Sequence, residues 1–238
     1  MKREKIIAEI KSWLWVIVVV LILRTWVVQA YHIPSSSMED TLLVGDFLLA
    51  AKFVYGLTIP FTDERVLPLK KPHRQEIVIF SSVVEDHKDL VKRCIALGGD
   101  TVQIINKVVY VNGKKLNEPY VVHRDPRVYP PLMPVRTKLE QEIYQKNWVE
   151  RRFMEGSNTG LTAVRDNFGP VVVPEGYMFV MGDNRDNSFD SRFFGPVPLS
   201  KLKGMPLIIY FSWDPYRPLW PIWKKIRWSR LFKLVFLM

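Results

Sequence analysis

Three short segments hold residue types that can do chemistry together. The first is Ile33-Pro34-Ser35-Ser36-Ser37-Met38. A proline followed by small hydroxyl residues makes a tight, exposed turn. A nucleophile needs such a bend, where substrate can reach it. Taken alone, a serine cluster reads equally as a solvated loop. The second segment is Asp89-Leu90-Val91-Lys92-Arg93-Cys94-Ile95-Ala96-Leu97-Gly98-Gly99-Asp100. In a strand, side chains alternate between faces. Lys92 then shares a face with Leu90 and Cys94, among apolar neighbours. Burial disfavours the ammonium and lowers its pKa. A neutral lysine can take a proton from serine near neutral pH. A surface lysine on an edge strand is the plain alternative. The third segment is Gly182-Asp183-Asn184-Arg185-Asp186-Asn187-Ser188-Phe189-Asp190-Ser191-Arg192. Such a density of Asp, Asn and Arg predicts a rigid, mutually hydrogen-bonded scaffold. The spacing Asp186, Ser188, Asp190 invites a calcium loop. That reading fails because Ser191 stands where the loop needs glycine, and Val197 where it needs glutamate. No metal site is expected.

The elements that must position these segments are mainly strands. Asp46–Ala50, Glu76–Phe80, Thr101–Ile105, Lys107–Val111, Tyr177–Met181 and Leu207–Phe211 have the short apolar character of strands. Asn112-Gly113 marks a hairpin, and Pro174-Glu175-Gly176 another turn. The stretch 123–168 differs. It is Pro-rich and then charged, with a short helix opening at Thr137-Lys138-Leu139-Glu140 and ending near Phe153. It reads as a small inserted subdomain. The expected core is therefore split, over 32–122 and 169–212. The tail, 213–238, has Trp228, Leu231, Phe232 and Val235 at helical spacing and Lys224, Arg227, Arg230 and Lys233 on another face. A basic, Trp-rich amphipathic stretch suits a membrane interface.

Residues 1–12 are basic and precede an apolar run, 13–31, long enough to span a bilayer. Arg24 lies near its end, where it can snorkel. The basic cluster places the N-terminus in the cytoplasm and the rest outside it. A cleavable secretory signal, with Val28-Gln29-Ala30 as its cutting site, is the competing reading. The formal net charge of +10 over 238 residues is concentrated at the two ends, beside apolar sequence. That favours an anionic membrane surface over nucleic acid. The single Cys94 excludes an internal disulfide. Other serine chemistries find little support. Ser200-Lys201-Leu202-Lys203 matches Ser-x-x-Lys but has no Lys-Thr-Gly partner. There is no Gly-x-Ser-x-Gly, and His32, His73, His87 and His123 lack a triad context. A repressor-type Ser/Lys autopeptidase needs a DNA-binding module, and a non-catalytic scaffold of this fold needs no Ser37 or Lys92.

The three motifs, in this order after an apolar anchor, resemble type I signal peptidase, also called leader peptidase. The resemblance covers nearly the whole chain apart from 123–168. It implies a mainly β, antiparallel-sheet catalytic domain with an inserted subdomain, behind one transmembrane helix. It implies Ser37 as nucleophile and Lys92 as general base. Ser35, with the Ser37 backbone N–H, matches the oxyanion hole, and Ser188 matches the serine that orients the lysine. Arg93, Asp183, Asp190 and Arg192 match charged positions that brace the site. Ile33, Pro34, Met38, Leu42, Leu90 and Val91 match residues around pockets for small side chains, as in Ala-x-Ala sites. No cofactor is implied. The implied partners are preproteins with signal peptides, membrane lipid and the nearby secretion translocase. The implied location is the bacterial cytoplasmic (inner) membrane, with the catalytic domain outside the cytoplasm. The sequence departs from the family pattern at Ser36, where glycine is usual, at Arg74-Gln75-Glu76, and at Phe189, where the residue is often smaller.

Overall fold

The computed structural model describes residues 2–58, 65–66, 69–154, 164–218 and 220–238, without the side chains of 2–6, 8, 57–58 and 65–66. Part of the expected insertion, 155–163, therefore lies outside the described residues, as do the side chains of Lys2, Arg3 and Lys5.

Helix α1 runs over Lys2–Ile22 and continues as a wider π-type turn, Leu23–Val27. Its segment Glu9–Val27 is long and apolar enough to cross a membrane, and none of it is buried against protein. An all-round apolar helix with no protein cover suits lipid. The expected span, 13–31, ran four residues further. The difference has a local cause: strand β1, Val28–His32, leaves the helix to pair with β2, Asp46–Ala51, in register from Val28–Ala51 to His32–Phe47. Val28-Gln29-Ala30 thus belongs to a sheet.

The remaining strands follow in order: β3 (Leu57–Thr58), β4 (Arg65–Val66), β5 (Ile77–Ser81), β6 (Asp89–Leu97), β7 (Thr101–Ile105), β8 (Val108–Val111), β9 (Lys114–Lys115), β10 (Phe168–Val172), β11 (Tyr177–Met181), β12 (Val197–Pro198), β13 (Leu202–Ser212) and β14 (Lys233–Leu234). The main antiparallel sheet has the order β1-β2-β13-β5-β6-β11-β12, with β14 also on β13. A second sheet has the order β10-β7-β8-β9. Its hairpins turn at Asn106-Lys107 and Asn112-Gly113, all four with positive φ, as two-residue primed turns require. The fold is mainly antiparallel β behind one apolar helix.

Helix α2, Lys138–Val149, begins with a capping box in which Thr137 and Glu140 each accept from the other's backbone N–H. Its Trp148 is fully buried beside Phe168 and Phe179, with ring centroids 6.1 and 5.7 Å away. Ile95 of β6 and Met181 of β11 share that cluster. The helix is thus packed on the back of the strands that lead into the second and third motifs.

The tail does not form the helix its spacing suggests. It makes a helical turn at Ile222–Lys225, another at Trp228–Arg230, then β14 and a last turn at Val235–Leu237. Long-range contacts override the period. Arg230 is buried, paired with Asp46 at 2.6 Å, and donates to the Thr41 carbonyl at 2.8 Å. Phe232, at φ 61°, turns the chain so that Ile208–Leu234 and Ile209–Lys233 pair, and Val235 enters the core beside Met38 and Leu42. Breaking a buried ion pair from one side leaves an unpaired charge. Arg230→Ala is therefore expected to destabilise the protein by roughly 3–5 kcal/mol, read by denaturant unfolding. A loss below about 1 kcal/mol would mean the tail is not held this way.

Candidate active site

The first motif lies on a loop folded between β1 and β2. Ile33 N–H donates to the Asp46 carbonyl and Gly45 N–H to the Ile33 carbonyl, both at 2.9 Å, closing the loop. Inside it, Ser36–Met38 form one 3-10 turn. Met38 and Leu42 are buried under the turn, so Ser37 is held half-buried at its top. The second motif is β6, whose Lys92 pairs across from Val78 in the middle of the sheet. The lysine is buried, at 4% exposure. Its Nζ donates a hydrogen bond to Ser37 Oγ. With the amine neutral, the same contact lets Ser37 donate instead. Burial is the main reason that the Lys92 pKa falls from 10.5 to about 8, with the Arg192 charge adding to it and Asp190 and Asp183 opposing.

The third motif clamps the first. Asn184 N–H donates to the Ser37 carbonyl at 3.1 Å, and Asn184 Nδ2 to the Ser36 carbonyl at 3.1 Å. Asn187 Nδ2 donates to Ser36 Oγ at 2.8 Å. Ser36, in the position where glycine is usual, thus has a partner for its hydroxyl. Gly182 sits where β11 passes beneath Ser37. A Cβ there would fall on Ser188 Oγ and the Ser37 carbonyl oxygen, so no side chain fits.

Two buried ion pairs hold this arrangement. Arg93 donates to Asp183 in bidentate fashion, at 2.8 and 2.6 Å, and stacks over Tyr120 at 3.7 Å. Thr41 Oγ1 donates to the same carboxylate at 2.6 Å, tying the nucleophile loop to it. Arg192 donates to both oxygens of Asp190 at 2.8 Å, and also to the carbonyls of Arg165 and Arg185 at 2.7 and 2.8 Å. Burial pushes the Asp190 carboxyl up, but Arg192 and the Gly182 N–H outweigh it, and the pKa lies below the ordinary value. Asp186 is occupied by Lys107 Nζ and the Asp125 N–H, both at 2.7 Å. No group of three His, Cys, Asp or Glu among the described residues is placed to hold a metal ion.

Ser37 and Lys92 open into a cleft of about 920 Å³. Of the residues expected around the substrate, Ile33, Pro34, Met38, Leu90 and Val91 line it. Leu42 does not. It is fully buried in the cluster under the turn, where it supports the loop. Ser35 Oγ lies 3.5 Å from Ser37 Oγ, on the same rim. Ser188 lines the cleft with a buried hydroxyl that stands close enough to Asp190 to help hold its pKa down. Thr41, Gly182, Asn184 and Asn187 escaped the sequence reading as site residues. The two asparagines lay inside a motif already singled out, but nothing local showed which backbone they would reach.

Residues 6–211 match the family described as "Signal peptidase, peptidase S26". The chain belongs to that family. It is 34% identical over 228 residues to signal peptidase I of Pseudomonas aeruginosa, covering 90% of this chain and 76% of the relative. Signal peptidase I of Aquifex aeolicus is 37% identical over 221 residues, covering 83% and 81%. Signal peptidase I of Helicobacter pylori is 30% identical over 272 aligned positions, covering 98% and 94%. The chain is thus a serine peptidase of the signal peptidase type, acting on preproteins that carry signal peptides. The apolar N-terminal helix fits such an enzyme at a membrane.

Proposed function

We propose that this peptidase cuts preproteins at small-x-small sites through a Ser37 acyl-enzyme, with Lys92 as the general base. One observation carries the reading: a fully enclosed lysine, with its pKa lowered toward neutrality, contacts an accessible serine hydroxyl. Neutral Lys92 takes the Ser37 proton as Oγ attacks the scissile carbonyl. Ser35 Oγ and the Ser37 N–H stabilise the oxyanion. The ammonium then returns its proton to the leaving amine, and a water deprotonated by the same lysine releases the acyl group. Ser188, which lines the same cleft as the lysine, orients Nζ between these steps. Arg93–Asp183 and Arg192–Asp190 keep the strands in place.

Topology follows from the same frame. The N-terminus is cytoplasmic, α1 spans the inner membrane, and the β domain stands outside, within reach of the secretion translocase. The tail touches the lipid surface: Trp220, Trp223, Trp228, Phe232 and Phe236 are exposed together with Lys224 on a short stretch of chain.

The test is cleavage of a precursor with an Ala-x-Ala site by detergent-solubilised protein. A new N-terminus immediately after the last alanine, absent with Ser37→Ala, is the expected result. Equal cutting by Ser37→Ala would place the nucleophile elsewhere.

A further inference from the structure

The cleft does not end at the dyad. Its lining also takes in Ser82, Val84, Glu85 and Lys88 of the hairpin before β6, and Asp89 at the start of that strand. Part of its wall is made by Phe153 and Met154, from the turn after α2, and by Phe189, Phe193 and Phe194. Phe193 and Phe194 are buried, at 2% and 0% exposure. Phe189 stands in front of them, stacked on Phe193 at 5.6 Å and edge-on to Phe194 at 5.5 Å, and is 41% exposed. In the motif Gly182–Arg192 it is the one apolar side chain that points outward.

This wall is built. Trp148 Nε1 donates to the Ser191 carbonyl at 2.6 Å, locking α2 to the third motif. Arg151 Nη1 donates to the Val83 carbonyl at 2.8 Å, locking the turn after α2 to the hairpin. Three segments distant in sequence thus hold one apolar recess rigidly, next to Ser188. Preorganised apolar surface at the end of a substrate cleft gains free energy only when an apolar group covers it.

We infer that this recess is a further substrate subsite, which takes a large apolar side chain of the preprotein apart from the small residues at the cut, with Phe189 as its specificity-determining wall. The inference rests on the proposed reading of the cleft as the peptidase site. The cleft volume fits it, since about 920 Å³ far exceeds what two small side chains fill. The stacked rings offer edge and face contacts to an incoming aromatic or branched chain.

The test uses the full chain in detergent and a set of peptides around one Ala-x-Ala site. Serine is replaced by phenylalanine at each flanking position in turn, and kcat and KM are read for the wild type, Phe189→Ser and Met154→Ala. At one position phenylalanine is expected to raise kcat/KM about tenfold through KM. That preference is expected to fall toward unity in both variants, while their unfolding midpoints stay near the wild type's. No favoured position, or a preference that survives in both variants, overturns the inference and leaves the dyad reading intact. If the wild type cuts none of the peptides, the serine series included, both fall.

Discussion

Lys92→Met is expected to abolish cleavage and, at the same time, to make the protein more stable. The loss of rate follows from removing the one group among the described residues that is in hydrogen-bond contact with Ser37 Oγ and can take its proton. General-base removal from a serine enzyme costs ~10³–10⁴-fold in kcat. The gain in stability follows from burial. A lysine whose pKa drops from 10.5 to about 8 on folding is held at an energetic disadvantage. Such a shift corresponds to on the order of 3 kcal/mol. The sign fixes where it shows. Between pH 8 and 10.5 the unfolded chain binds more protons than the folded one, so stability rises with pH across that window. The penalty is therefore full below pH 8 and gone above 10.5. Methionine fills a similar volume without a charge, so its advantage is largest at neutral pH and vanishes in alkali. Denaturant unfolding at neutral and alkaline pH, beside a cleavage assay, checks both halves. A variant that is inactive and also less stable at neutral pH would mean that Lys92 supports the fold more than the chemistry.

Gly182→Ala is the second large effect. The glycine lies between the Ser37 carbonyl and Ser188, and an added Cβ would also stand 2.6 Å from Ser188 Cβ. Neither neighbour can yield freely. The Ser37 carbonyl accepts from Asn184, and Ser188 is followed by the buried Asp190–Arg192 pair. Relief must come by moving Ser37 off its contact with Lys92. A displacement of about 1 Å at a reacting group costs on the order of 10²-fold. Gly182→Ala is expected to lose at least that much in kcat, with KM changed far less. Ser188→Ala in the same background relieves one of the clashes and is expected not to restore the rate, since the carbonyl clash remains. Near-wild-type turnover by Gly182→Ala would show that the loop tolerates the shift.

The parts of the fold set by local chemistry were legible in the sequence. Alternating apolar residues gave β7 and β8 and Asn112-Gly113 the turn after them, although Lys107, read as strand, lies in the turn before β8, and Thr137 with Glu140 marked the start of α2. The three motifs could be read because their residue types are improbable together. Long-range contacts decided the rest. Helical spacing in 228–235 lost to the Arg230–Asp46 pair, formed across 184 positions, and to pairing with β13. The helix ended at Val27, short of the apolar run, because β2 offers Val28 a partner strand. Leu42 lies close to the nucleophile in sequence, yet the turn at Ser36–Met38 directs it into the core. Ser37 itself stood among three serines. The family resemblance singled it out, and its contact with Lys92, 55 positions away, is what separates it physically from Ser35 and Ser36.

The most direct test of the dyad is the pH dependence of kcat/KM on one precursor peptide, with Lys92 as the group that must be neutral. The rate is expected to climb tenfold per pH unit in acid and neutral solution and to level off above an apparent pKa of about 8. A profile that stays flat through this range, or that breaks only near the ordinary lysine value of 10.5, would contradict the account.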